Sequence, residues 1–109
     1  MFDDLRSFLQ KLDEIGQLKK VEGADWDLEI GTINELMAER QGPALLFDKV
    51  KGYPSGYRIA TNILHTVIGQ RLAFGLPEGL SDVQIIKDWK DKWNKYQPVP
   101  PVEVKSGPI

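Results

Sequence analysis

The segment ALLFDKVKGYPSGYRIATNIL, residues 44–64, contains two apolar, β-prone runs separated by a turn. The runs are Ala44–Phe47 and Tyr57–Leu64. The stretch between them contains Gly52 and Gly56 together with a proline, and these residue types supply the special φ values that turns require. Two strands around a glycine-bearing loop predict a β-hairpin or a closely related arrangement.

The residues before this segment predict a helix, a short strand and a second helix. Residues 3–15 place their apolar side chains at three- and four-residue steps, which is typical of an amphipathic helix that packs on a core. Residues 17–22 predict a short strand with few apolar anchors. We expect Asp27 to cap a second helix over residues 28–40, which Pro43 then prevents from continuing.

The residues after the segment predict two more helices. Thr66 is a suitable N-cap for a helix over residues 67–74, and Ser81 opens the last helix. Gln84, three residues after Ser81, completes the pattern of a capping box. The sequence therefore predicts a small α+β domain over residues 1–96, with a short mixed or antiparallel β-sheet packed by about four helices.

Composition excludes several classes of function. The 109 residues are 41% hydrophobic and 28% charged, which is typical of one soluble globular domain. Lysine and arginine are interleaved with acids and the net charge is −2, so we expect no nucleic-acid partner. The chain has no cysteine, no apolar run of the ~20 residues that a membrane span needs, and two acids where a secretion signal would carry bases. A cytoplasmic protein without membrane contact fits these features.

Residues that could perform catalysis are scarce. His65 is the only histidine and directly precedes a helix, so a loop or capping role is favoured over a catalytic or metal-binding one. The acid pairs at 3–4 and 13–14 lie on predicted helix surfaces, where they would be solvated. No glycine pattern matches a phosphate-binding loop. We therefore predict no catalytic, cofactor-binding or metal-binding residue in this chain.

The C-terminal part of the chain indicates a contact with another protein segment. Trp89, Trp93 and Tyr96 lie on one face of the last helix, where they could form core, a ligand stack or a partner surface. Core is the default for such spacing, and a partner surface is the second interpretation. The tail QPVPPVEVKSGPI, residues 97–109, is rich in proline and then alternates Val102 and Val104 as an unpaired strand would. These three aromatic residues and two valines are the candidate domain-docking residues.

The order of motifs resembles the N-terminal domain of UbiD-like decarboxylases. The run GPALLFDKVKGYP at 42–54, followed by RIATNIL at 58–64, carries the resemblance most clearly. The opening DLRSFLQKLDEIGQLKKVE at 4–22, the D-L-E-I at Asp27–Ile30 and the closing PPVEVKSGP at 100–108 also resemble that family. By this resemblance, residues 97–109 would be a linker or strand that leads toward a cofactor-binding domain.

The resemblance implies a larger parent enzyme. Members of this family are (de)carboxylases of aromatic or α,β-unsaturated carboxylic acids that use prenylated FMN, a divalent metal (often manganese) and potassium. Their cofactor and a Glu-Arg-Glu set belong to a middle split-barrel domain, and a C-terminal domain drives oligomerisation. This chain offers no candidate for that set or for the metal ligands, so the resemblance implies a structural domain that is inactive alone.

Two hypotheses remain open from the sequence. In the first, the chain is the N-terminal domain, as a fragment or split subunit, and its partners are the catalytic and C-terminal domains of the parent or a partner subunit. In the second, it is a free-standing adaptor that binds a protein partner through residues 85–109. An adaptor would stay monodisperse alone and order its tail on binding, whereas a fragment would expose an apolar face.

Overall fold

The computed structural model of the chain describes residues 2–108. Met1, the first residue of the predicted domain, and Ile109, the last residue of the predicted tail, lie outside the described residues. The described chain forms two compact units, which meet in sequence between Glu78 and Gly79.

The first unit contains three helices and three strands. In chain order these are α1 (Leu5–Glu14), β1 (Leu18–Glu22), α2 (Glu29–Glu39), β2 (Ala44–Asp48), β3 (Ile59–Thr61) and α3 (Val67–Ala73). The second unit contains one helix, α4 (Asp82–Asn94). The predicted α+β class with about four helices is confirmed.

The sheet has the strand order β1-β2-β3 and is mixed. β1 runs parallel to β2, with Leu18 beside Ala44, and α2 forms the crossover between them. β2 and β3 are antiparallel, with Leu46 beside Ala60, so the predicted hairpin is confirmed. The central strand is buried on both faces, which explains its uninterrupted apolar run.

The two faces of β2 contribute to two separate apolar clusters. Leu45 and Phe47 point to one side and pack with Ala24, Val50 and partly buried side chains of α2. Ala44 points to the other side and packs with Phe8 and Leu12 of α1. The alternation of side chains along the strand produces this division, so that α2 packs on one face of the sheet and α1 on the other, where Leu72 of α3 joins it.

The predicted cap of the second helix is wrong. α2 begins after Leu28, which has a positive φ of 67° and forms no side-chain capping bond. Asp27 does not cap the helix, because the preceding acid closes the turn: Asp25 Oδ1 accepts a hydrogen bond of 3.0 Å from the Asp27 N–H. The Glu29 carboxylate in turn accepts a bond of 2.7 Å from the Asp25 N–H. A short-range Asx turn has replaced the predicted cap.

The second strand of the hairpin is shorter than predicted. β3 covers Ile59–Thr61 rather than Tyr57–Leu64. Asn62 has φ of 56°, a left-handed conformation that a strand cannot contain, and its side chain donates a 3.1 Å bond to the Asn34 carbonyl of α2. Asn62 therefore ends the strand and attaches the chain to α2.

The predicted caps Thr66 and Ser81 are present, and Asp4 caps the first helix. Asp4 and Ser7 form a reciprocal capping box at the start of α1, and the Thr66 hydroxyl accepts the Gly69 N–H at the start of α3. Ser81 accepts the Gln84 N–H at the start of α4. The Gln84 amide donates to Asp88 in the next turn, so the structure contains the Ser81 half of the predicted box.

Candidate functional site

Three aromatic rings form a continuous row at the C-terminal end of α4. The ring centroids of Trp89 and Trp93 are 6.4 Å apart, and those of Trp93 and Tyr96 are 5.7 Å apart with planes 15° from parallel. Their exposed fractions are 39%, 64% and 62% in chain order. We call Trp89, Trp93 and Tyr96 the aromatic row.

The helix geometry explains why these rings meet. Residues three or four apart share a helix face, and Tyr96 follows the last helical residue by two positions. Val83 and Ile86 are also largely exposed and extend the same spacing toward the start of α4. The sequence analysis did not single out Val83, although its position three residues before Ile86 indicates that both lie on the same helix face. A largely exposed row of this kind can bind an apolar partner surface.

The two tail valines remain exposed in the second unit. Val102 and Val104 lie in a segment without helix or strand, and the only sheet in residues 2–108 consists of β1, β2 and β3. The structure thus brings Trp89, Trp93 and Tyr96 together, but it brings neither valine into a strand pair. All five candidate docking residues belong to the unit that begins at Gly79.

The lone histidine and the acid pairs have structural contacts. His65 Nε2 lies 3.0 Å from the Ala38 carbonyl oxygen, which connects the start of α3 to the end of α2. Asp4 caps α1, and the hydrogen bond from the Ser7 backbone is the main reason that the pKa of Asp4 is lowered. Asp13 pairs with Lys20 at 2.6 Å. The contacts of each group are those of a fold-stabilising residue.

The described residues do not assemble a metal centre. Within residues 2–108, no group of three histidine, aspartate or glutamate side chains lies close enough to hold an ion. The same part of the chain has no helix that combines the length and apolar character needed to cross a bilayer.

One ion pair of the first unit joins two loops. Lys51 Nζ lies 3.0 Å from Asp25 Oδ2, and the Lys51 N–H donates to the Ala24 carbonyl at 3.0 Å. The hydrogen bond from the Asp27 N–H, followed by that from Lys51, lowers the pKa of Asp25. Asp25 in turn raises the pKa of Lys51. The K-G-Y turn of the hairpin is thereby held against the turn before α2.

Comparison with known proteins gives a consistent result. Residues 9–93 match the family described as the 3-octaprenyl-4-hydroxybenzoate carboxy-lyase N-terminal domain, UbiD_N. The phenolic acid decarboxylase of Escherichia coli O157:H7 is 33% identical over 103 residues, which cover 92% of this chain and 21% of that protein. The corresponding enzyme of Sedimentibacter hydroxybenzoicus is 32% identical over 108 residues, which cover 96% and 22%.

A solved structure agrees with these sequence matches. The vanillic acid decarboxylase of Sedimentibacter hydroxybenzoicus, in an open form with one truncated component, superposes with a TM-score of 0.80 at 31% identity. The match covers 93% of this chain and 21% of that chain. The chain thus spans about a fifth of the length of these relatives.

Proposed function

The chain belongs to the UbiD-like carboxy-lyase family, whose N-terminal domain it matches, and we propose that it is an architectural domain of such a decarboxylase. The observation that carries the proposal is the match over residues 9–93, which includes parts of both units. Because the relatives are about five times longer, the reacting groups would be supplied by polypeptide outside this chain.

The substrate and cofactors follow from the family and are part of the proposal. The parent enzyme would act on aromatic or α,β-unsaturated carboxylic acids with prenylated FMN, a divalent metal such as manganese, and potassium. The side chains of residues 2–108 do not fit the metal, since the one histidine contacts the Ala38 carbonyl and the acids are dispersed. The parent enzyme would work in the cytoplasm.

The proposed role of the second unit is to dock onto the catalytic part of the parent. The exposed aromatic row supports this role, because aromatic side chains release much apolar surface from water when a partner covers them. Val102 and Val104 would add a strand-like contact. An exposed Trp93 also implies that its loss affects docking far more than folding.

A chimeric enzyme tests this role. In the phenolic acid decarboxylase of Sedimentibacter hydroxybenzoicus, this chain would replace the stretch that it matches. We expect the chimera to assemble and to decarboxylate a phenolic acid, and we expect the pair Trp93→Ala and Tyr96→Ala to impair both properties. Lys90→Ala, on the same helix, is the matched control.

The result separates the two hypotheses. A chimera that is soluble but inactive, while the isolated chain binds the intact enzyme in trans, would favour the adaptor. If the aromatic substitutions leave assembly and activity at the level of the Lys90 control, the docking role of the aromatic row is wrong. A thermal melt of each variant of the isolated chain distinguishes lost docking from lost folding.

A further inference from the structure

We propose that a groove between α1 and the sheet binds a carboxylate-bearing polypeptide segment. Two adjoining cavities of about 360 and 270 Å³ lie on the α1 side of the sheet. Both are lined by Arg6, Leu9, Leu46 and Arg58, so they form one continuous groove, which we call the arginine groove. The inference is independent of the proposed function, since it concerns the first unit alone.

The floor of the arginine groove is apolar. Leu46, which is nearly buried, lies at its centre on the face of β2 that points toward α1. Leu9 of α1, Leu18 of β1 and Ala60 of β3 surround it. Burial of a partner's aliphatic side chains here would therefore favour binding, with a free energy of about 25 cal/mol per Å² of apolar surface.

Two arginine side chains from different elements flank this floor, and, after the hydrogen bonds from Ser7, the charge of Arg6 contributes to the lowered pKa of nearby Asp4. Arg6 lies in the first turn of α1, and Arg58 directly precedes β3. Neither guanidinium forms an ion pair within residues 2–108.

The lysines of the same unit behave differently. Four of them lie 2.6–3.6 Å from a carboxylate, namely Lys11, Lys20, Lys49 and Lys51. Because Arg6 and Arg58 form no such pair within residues 2–108, their guanidinium donors can bind a ligand.

The acids at the edge of the groove do not neutralise both arginines. Asp13 is already paired with Lys20 at 2.6 Å. Asp4 accepts the Ser7 N–H at 2.8 Å as the cap of α1 and is the remaining carboxylate of the lining. The lining thus carries three cations against two carboxylates, so its excess charge is positive and calls for an acidic occupant.

The combination of charge and floor selects a polypeptide over other anions. A nucleic acid would present phosphates to the arginines but leave the leucine floor uncovered, and the chain as a whole is acidic. A segment in which carboxylates alternate with aliphatic side chains satisfies both requirements, because a guanidinium binds a carboxylate with two parallel hydrogen bonds.

A labelled peptide tests the proposal directly. The probe is a short fluorescent peptide of alternating glutamate and valine, and the matched control peptide has glutamine in place of each glutamate. Fluorescence anisotropy would be measured with the whole chain at low and at physiological salt. The variants are Arg6→Gln, Arg58→Gln and both together, with Arg40→Gln as the control at the exposed C-cap of α2.

We expect the wild-type chain and the Arg40 control to bind the glutamate peptide equally. The double variant should lose roughly fivefold in affinity, since each exposed ion pair contributes a modest amount. Binding should weaken with salt, and the glutamine peptide should bind less tightly.

Three outcomes would overturn the proposal. One is equal affinity of the double variant and the wild-type chain. Another is equal affinity for the two peptides. The third is displacement of the peptide by glutarate at the same carboxylate concentration, which would indicate a small-anion site instead. Circular dichroism of each variant ensures that a loss of binding is not a loss of folding.

Discussion

Lys51 Nζ lies 3.0 Å from Asp25 Oδ2, and this ion pair joins the hairpin loop to the turn that precedes α2. The two residues are 26 positions apart in sequence, so the pair fixes a long-range contact between two loops. Asp25 also organises its own turn through the Asp27 N–H. One carboxylate therefore holds both a local turn and a tertiary contact.

Stability should depend on pH through Asp25. Its pKa is lowered in the folded state, so its contribution is present above the ordinary aspartate pKa and is lost as pH falls through the folded value. We expect Asp25→Asn to lower the melting temperature at neutral pH and to match the wild-type chain in strong acid. Asp27→Asn is the control, and an Asp25 difference that persists in acid would contradict the assignment.

Phe47 should be a major determinant of the free energy of unfolding. Its side chain is fully buried in the central strand and packs toward α2. We expect Phe47→Ala to cost about 3–5 kcal/mol in urea denaturation, because a cavity remains in the cluster. Leu36→Ala, at a half-exposed position of α2, should cost less than about 1 kcal/mol. Equal effects would refute this description of the core.

The backbone at Leu28 should be strained, and substitution by glycine should relieve this strain and stabilise the chain. Its φ of 67° lies in the left-handed region and its side chain is 79% exposed, so little burial offsets the strain. We expect Leu28→Gly to stabilise the chain by about 0.5–1 kcal/mol in thermal or urea unfolding. Leu36→Gly, the same change inside α2, should destabilise by about 1 kcal/mol, since glycine weakens a helix interior.

Two helical glycines should respond oppositely to alanine. A Cβ at Gly31 in α2 meets no atom within 4 Å, so Gly31→Ala should stabilise by about 0.5–1 kcal/mol. A Cβ at Gly69 in α3 would lie 2.6 Å from the Ile63 carbonyl oxygen, so Gly69→Ala should destabilise by about 1–3 kcal/mol. Melting curves of the two variants with the same sign would contradict the packing described for α3.

Local signals made most of the elements predictable from sequence. Asp4, Thr66 and Ser81 cap their helices through bonds to residues only three positions away, so short patterns reveal them. Asp27 failed as a predicted cap because Asp25, two residues earlier, captures the turn. The sequence does not reveal which of these two acids, Asp25 or Asp27, accepts the hydrogen bond that organises the turn.

Longer-range features were less accessible. The parallel pairing of β1 with β2 requires the α2 crossover to bring distant residues together. The sequence alone therefore predicted only that the sheet is mixed or antiparallel. The end of β3 depends on the bond from Asn62 to the Asn34 carbonyl, a contact across 28 positions. The aromatic row has the same spacing whether it is core or surface, so its exposure could not be inferred from periodicity.

The placement of the tryptophans has a spectroscopic consequence. The chain contains three tryptophans, Trp26, Trp89 and Trp93, and all of them are exposed to solvent. The buried clusters consist of aliphatic side chains and phenylalanine. Indole emission should therefore be red-shifted already in the folded state and change little on denaturation. A blue shift would instead report that a partner has covered the aromatic row, which makes the chain its own fluorescent sensor of association.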